Sequence, residues 1–459
     1  MTDVLIVGAG SAGSILAERL SADDRCRVTV LEAGPGADDP AVSAQLRDAG
    51  RLPIGPGSPV VRRYTTTLTD RPNRSADVLR GAVVGGSGAI NGGYFCRGRP
   101  ADFDGWDVPG WRWDDVLPHF RAIETDLDHD GPLHGTRGPI RVRRTAHFSP
   151  GTSAFVERAL GMGYPWIDDL NGAPGPDGVG AVPLNIDHGI RLGPGAAFLA
   201  PAMGRSNLVV RPNVPVLRVL IDGTRAVGVE VLGPAGAQTL AADRIVLCAG
   251  AIGSAHLLLV SGIGPARMLE WAGIAVRADL PVGVGFCDHP EWVLPVGWPA
   301  TGGRPPVEAA LSVDDVEIRL YTSGFSEMTG AGRADDPHIG IALMRPRSRG
   351  RLSVLSPRIT DAPVLEHRYD REDADVAALH AGAELATALS GMAGVQAHWS
   401  TTQHLSGTAP MGPVLDERCR VRGLQGLWVV DGSIMPSLTS RGPHASIAMI
   451  GHRAAEFIS

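Results

Sequence analysis

The sequence predicts an α/β fold: a parallel sheet wound with helices, joined to a second sheet of alternating strands. Two stretches predict it. In the first, Val4-Leu5-Ile6-Val7 is an apolar run too short for a buried helix, and it runs straight into Gly8-Ala9-Gly10-Ser11-Ala12-Gly13. Ile15, Leu16 and Leu20 then fall at helical spacing, and residues 26–31 form a second strand that ends in Glu32. Strand, glycine turn, helix and strand open a doubly wound sheet. In the second stretch, Glu317-Ile318-Arg319-Leu320-Tyr321 and His338-Ile339-Gly340-Ile341-Ala342-Leu343 alternate as half-buried strands do.

Each glycine of the first turn has a physical reason. Gly8 allows a tight turn, Gly10 lets the backbone approach a pyrophosphate, and Gly13 lets helix and strand pack closely. The helix start at Ser11 and Ala12 offers free N–H groups and a positive dipole end to phosphate. Glu32, followed by Ala33, is placed to accept hydrogen bonds from a ribose diol. A dinucleotide site is therefore expected within the first 34 residues.

Length and composition bound the rest. The 459 residues leave room for two to three domain-sized units. A net charge of −7 gives no basic footprint for nucleic acid. All 42 basic residues are arginine, which excludes lysine Schiff-base chemistry. The five cysteines are scattered without C-x-x-C spacing, so neither a metal site nor a disulfide framework is indicated. The first strand begins so early that no signal peptide is expected, and no apolar run is long enough to span a membrane. A cytoplasmic enzyme is the default, with peripheral contact at the inner face of the membrane left open.

Along the chain, residues 35–76 are rich in Gly, Pro, Asp and Arg and read as loop with a short helix. Residues 80–98 are glycine-rich in an apolar setting: Val83, Gly85, Gly86, Ser87, Asn91 and Gly92 suit a backbone pressed against a flat or anionic group. Helices are expected around residues 111–120 and 150–161. Strands are expected at 208–210, 215–221, 226–232 and 244–249, the last running into Ala249 and a glycine turn. Residues 373–389 carry apolar positions at helical spacing.

Five stretches together resemble the glucose–methanol–choline (GMC) family of flavoproteins. They are residues 82–106 with Gly85-Gly86-Ser87, Asn91, Arg97-Gly98 and Asp102-Phe103-Asp104-Gly105-Trp106; residues 250–265; Arg345-Pro346-Arg347-Ser348-Arg349-Gly350; His404-Leu405-Ser406-Gly407-Thr408-Ala409-Pro410-Met411-Gly412; and Val430-Asp431-Gly432-Ser433-Ile434-Met435-Pro436. The resemblance implies a Rossmann-like FAD-binding domain interleaved with an α+β substrate domain on an antiparallel sheet. It divides the chain into FAD-binding residues 1–110, a cap at 111–205, a second FAD-binding part at 206–289, a substrate domain at 290–400 and a C-terminal catalytic segment at 401–459. It brings Val216 to the adenine, and Asp431, Gly432, Ala445 and Ser446 to the flavin.

The resemblance also implies oxidation of an alcohol: a base takes the hydroxyl proton while hydride leaves for flavin N5. His404 stands where the family carries that base. Imidazole suits the step, with an expected apparent pKa of roughly 6 to 8. The family's second site residue, an Asn or His, would fall at Gly442, which has no side chain to offer. His444 is taken as its replacement, with Arg441 as the other donor nearby. Ile90 stands where covalent-flavin relatives carry a linking histidine, so FAD is expected to be non-covalent. The expected substrate is a small alcohol or a redox cofactor. Electrons are expected to pass to a non-oxygen acceptor such as a quinone or respiratory carrier, and the short arginine-rich chain resembles the actinobacterial branch associated with mycofactocin. The competing classes are a cyanohydrin-type lyase on the same fold, an oxygen-using alcohol oxidase and a non-catalytic flavoprotein.

Overall fold

The computed structural model describes residues 2–458 apart from 174, 176, 234–235, 333–334 and 393–395. A five-stranded parallel sheet forms its first layer, in the spatial order Leu208–Arg211, Cys26–Leu31, Thr2–Val7, Arg244–Leu247, Leu427–Val429. Val4 pairs with Val28 on one side and Arg244 on the other. The central strand is buried from Val4 to Val7, as a parallel strand covered on both faces must be. The sheet gathers strands from both ends of the chain and its middle, so the ligand-facing ends of distant segments converge.

The glycine turn behaves as the sequence requires. Gly8 has φ +105°, and a Cβ there would lie 2.5 Å from the Cys248 carbonyl oxygen. A Cβ on Gly13 would lie 2.1 Å from the Gly8 carbonyl oxygen, so the helix Ser11–Ser21 could not seat with any side chain there. The C-terminal helix His444–Ile458 packs on that same helix, Gly451 against the Ala12 backbone.

The second layer is a six-stranded antiparallel sheet: His398–Thr401, Pro290–Pro295, His338–Leu343, Val316–Tyr321, Val307–Val313 and Gly178–Ala181. One face carries Leu294, Ile318, Leu320, Ile339 and Ile341, which form a core with the helices Pro150–Gly161 and Asp373–Ser390. Ser149 caps the first of these helices by accepting from Thr152 N. The other face is buried as well but carries charged side chains.

The α/β class with a parallel and an antiparallel sheet is as the sequence predicts. Residues 61–76 differ. The short helix is present at Ser43–Arg47, but Val61–Asp70 and Asn73–Gly81 form a long hairpin where loop was expected. This hairpin joins Val364–Glu366, Gly350–Ser353 and Val284–Phe286 in a separate sheet. Threonine-rich residues 65–69 carry the β propensity; the consecutive exposed residues Arg62 and Arg63 interrupt the alternation. The strand Gly236–Ala241 was also unforeseen.

Candidate active site

The dinucleotide cradle forms where two glycine loops meet. Gly85 N donates to Ala9 O at 2.7 Å, and Gly86, at φ +54°, would press a Cβ to 2.7 Å from Gly10 Cα. Gly10 itself has no protein atom closer than 3.8 Å to its Cβ position, so its missing side chain serves something other than internal packing. Glu32, directly after the strand Cys26–Leu31, is 7% exposed and accepts from Ala9 N at 3.0 Å and Gly34 N at 2.9 Å. Burial raises its proton affinity, and those backbone N–H groups oppose the rise. Ala33 and Ala249 are exposed, and Val216 is buried.

Val83 is buried, Ser87 Oγ accepts from Gly81 N at 3.0 Å, and Gly92 lies against Pro306. Asp431 ties the far side together. One carboxylate oxygen accepts from Gly250 N and Ser254 Oγ, the other from Ser433 N and Oγ, across Gly432. Ser446 Oγ and His444 Nε2, at the start of the C-terminal helix beside Ala445, are buried without a partner among the described residues. Ser11 Oγ and His444 Nε2 both face the Cβ position of Gly88.

A second constellation lies around His404. Its Nδ1 is 2.9 Å from Nδ1 of His289, with the rings perpendicular. His289 Nε2 is 3.0 Å from the carbonyl oxygen of Thr439. A carbonyl only accepts, so His289 Nε2 carries the proton. Burial pushes His289 down to about 4, so the ring is neutral and its Nδ1 is a lone pair. His404 must therefore donate from Nδ1, which leaves its own Nε2 as a bare lone pair. Asp288 anchors the pair, accepting His404 N at 2.8 Å on one oxygen, with Thr401 Oγ1 at 2.6 Å and His367 Nε2 at 3.0 Å on the other.

Burial first, and the neighbouring His289 second, hold the His404 imidazole well below its ordinary range. The expected titration between 6 and 8 is thereby displaced downward. Gly442 lies against this pair: a Cβ there would be 3.4 Å from His404 Cε1 and 3.0 Å from the Tyr94 ring.

Two family models match the chain as GMC oxidoreductase, over residues 2–291 and 346–451. The chain belongs to the GMC oxidoreductase family. It is 39% identical to an uncharacterised GMC-type oxidoreductase of Rhodococcus erythropolis, over 99% of this chain and 98% of that one. It is 30% identical to an oxygen-dependent choline dehydrogenase of Photobacterium profundum, over 99% and 92%. Among solved structures it resembles pyridoxine 4-oxidase from Mesorbium loti, with a TM-score of 0.90, 29% identity and 99% of each chain covered. The protein is an oxidoreductase acting on CH–OH donors. The family's cofactor is FAD. The open surface at Gly10, the carboxylate of Glu32 and the unpartnered Ser446 and His444 atoms fit it.

One expected pairing changes. His444 does not bond to His404: its Nδ1 meets Asn91 Nδ2 at 3.0 Å, and its ring stands edge-on to Phe95, which sets it in the cofactor cradle. Burial pushes it down to about 4. Arg441 also turns away, its Nη1 donating to Ser312 Oγ at 2.6 Å and Glu317 Oε2 at 3.0 Å. The imidazole against His404 is His289, which the sequence reading passed over. Its signal was available: Asp288-His289 is a polar pair that follows directly on the apolar residues 282–287.

Proposed function

We propose that the chain oxidises an alcohol, with His404 as the base that takes the hydroxyl proton. The chain of hydrogen bonds from Thr439 O through His289 to His404 carries the proposal, because it leaves His404 Nε2 as a proton acceptor. The low proton affinity of the ring keeps it ready to accept at neutral pH. Bound FAD supplies the hydride acceptor. Asp288, itself bonded to the backbone of His404, favours the imidazolium that proton transfer creates.

His444 and Asn91 are assigned to the flavin rather than the alcohol. FAD is held without a covalent bond, since Ile90 packs among Val42, Leu46, Val60 and Val83 and has no atom that can form one. We extend the proposal to the acceptor: electrons pass to a quinone or similar carrier, with mycofactocinol as a donor to test. The choice of mycofactocinol follows from the likeness to a Rhodococcus relative. Among the described residues no helix is long and apolar enough to cross a membrane. Anaerobic bleaching of the flavin by a panel of alcohols tests the reaction. A flavin that no alcohol reduces would refute it; reoxidation by oxygen as fast as by a quinone would refute the acceptor.

A further inference from the structure

The six-stranded sheet has an unusual second face. Alternation along Val316–Tyr321 puts Glu317, Arg319 and Tyr321 on one side and Ile318 and Leu320 on the other. Glu317 is registered to Ala342, which is registered to Glu291; Arg319 is registered to Gly340. Gly340 matters here, because a Cβ would lie 2.5 Å from Glu291 Oε1 and 3.1 Å from the Tyr321 ring. Its absence lets side chains meet across the middle strand. Tyr94, whose ring lies with His404 against Gly442, donates to Glu317, and the Arg319 charge acts on both His289 and His404, so this face borders the His404 pair.

Both glutamates of this face are already compensated. Arg319 donates to Glu291 at 2.8 Å and to Glu317 at 3.3 Å. Arg441 and Tyr94 donate to Glu317 at 3.0 and 2.8 Å, and Tyr321 donates to Glu291 at 3.1 Å. The Arg319 guanidinium also sits 6.0 Å over the Tyr321 ring. In contrast, Nε of Arg319 and Nε of Arg441 are buried donors without an acceptor among the described residues. A buried N–H without a partner is costly, so an oxygen-bearing ligand is favoured there.

A quaternary ammonium group has no N–H to donate. Only uncompensated negative charge or a free aromatic face can hold it once it leaves water. Here arginine has taken both glutamates and the Tyr321 ring. We propose that this wall selects alcohols carrying a second oxygen, neutral or anionic, and discriminates against quaternary ammonium alcohols such as choline. The selectivity rests on the alcohol-oxidising site proposed above.

The test compares choline with its uncharged isostere 3,3-dimethylbutan-1-ol and with 4-hydroxybutan-2-one, which adds a carbonyl. Each is titrated into the FAD-loaded enzyme while the oxidised flavin spectrum is followed, and each is then mixed anaerobically to follow bleaching. The hydroxyketone should bind most tightly, and choline roughly tenfold or more weaker than its isostere, the direction set by an uncompensated buried charge. Arg319→Gln should shift the choline-to-isostere ratio toward choline by about tenfold or more, since Glu291 loses its cationic partner. Should that variant fail to fold, Arg441→Gln tests the same shift through Glu317. Choline binding as tightly as the isostere in the wild type, or a hydroxyketone no better than the isostere, would overturn the selectivity. Bleaching separates the two claims: choline bleaching fastest keeps alcohol oxidation and removes the selectivity, whereas the expected binding order without any bleaching removes the oxidation alone.

Discussion

His289→Phe is the substitution that most sharply probes how His404 is held. Phenylalanine keeps a ring in the buried space but removes both the Nδ1 acceptor and the Nε2 donor. The Nδ1–H of His404, now 2.9 Å from an acceptor, would lose it. An unsatisfied buried donor costs roughly 1–3 kcal/mol. It can be relieved by moving the proton to Nε2, which blocks the base. Either way the barrier rises by that order, and flavin reduction should slow by roughly 5- to 150-fold. The pH profile should move too. In the wild type the base is neutral down to well below the ordinary histidine range, so the rate should be flat above pH 7. Removing His289 removes one of the influences that hold His404 down, so the fall in rate on acidification should begin at higher pH. Anaerobic stopped-flow at saturating alcohol, from pH 5 to 9, measures both effects, with FAD content as the control. A variant that loses stability but keeps the wild-type rate and profile would show that His289 is merely structural.

Gly10→Val should fold and fail to hold FAD, because its extended backbone and surroundings admit a side chain that the pyrophosphate would meet; Gly13→Val should not fold, and purified yield with flavin absorbance distinguishes them. Glu32→Ala should weaken FAD roughly ten- to over a hundredfold, the worth of a hydrogen bond to a charged acceptor, measured by titrating apoprotein. Acid precipitation should release yellow FAD into the supernatant, and flavin retained in the pellet would refute non-covalent binding. His289 and His444 are held down to about 4 in the fold, so the unfolded chain binds more protons between about pH 6.5 and 4. Stability should therefore be full above that window and fall by up to about 1.4 kcal/mol per pH unit per histidine within it; thermal melts that do not move from pH 7 to 5 would contradict this.

The parallel sheet was legible because its strands are short apolar runs and its glycines have local steric reasons. The helices Pro150–Gly161 and Asp373–Ser390 were legible from periodicity. The hairpin of residues 61–81 was not, since the consecutive exposed Arg62 and Arg63 break the alternation of its first strand. At the site, His404 was found through its motif, but its partner was not: His289 is 115 residues away and meets it only through tertiary packing. His444 was assigned by proximity along the chain, where the helix it begins directs it to Asn91 instead. The charged sheet face was hidden for a related reason. Alternation showed that Glu317, Arg319 and Tyr321 share a side, and half-burial was the natural expectation, but both faces are covered.

The central claim, that His404 is the base for alcohol oxidation, is tested most directly by the rate of anaerobic flavin reduction in His404→Ala. The variant should bind FAD with a normal oxidised spectrum, since His404 lies outside the cradle of Gly10, Glu32 and Asp431. Its reduction by an alcohol that bleaches the wild type should be slower by about 10²–10⁴, the usual worth of a general base. Reduction at the wild-type rate would contradict the claim.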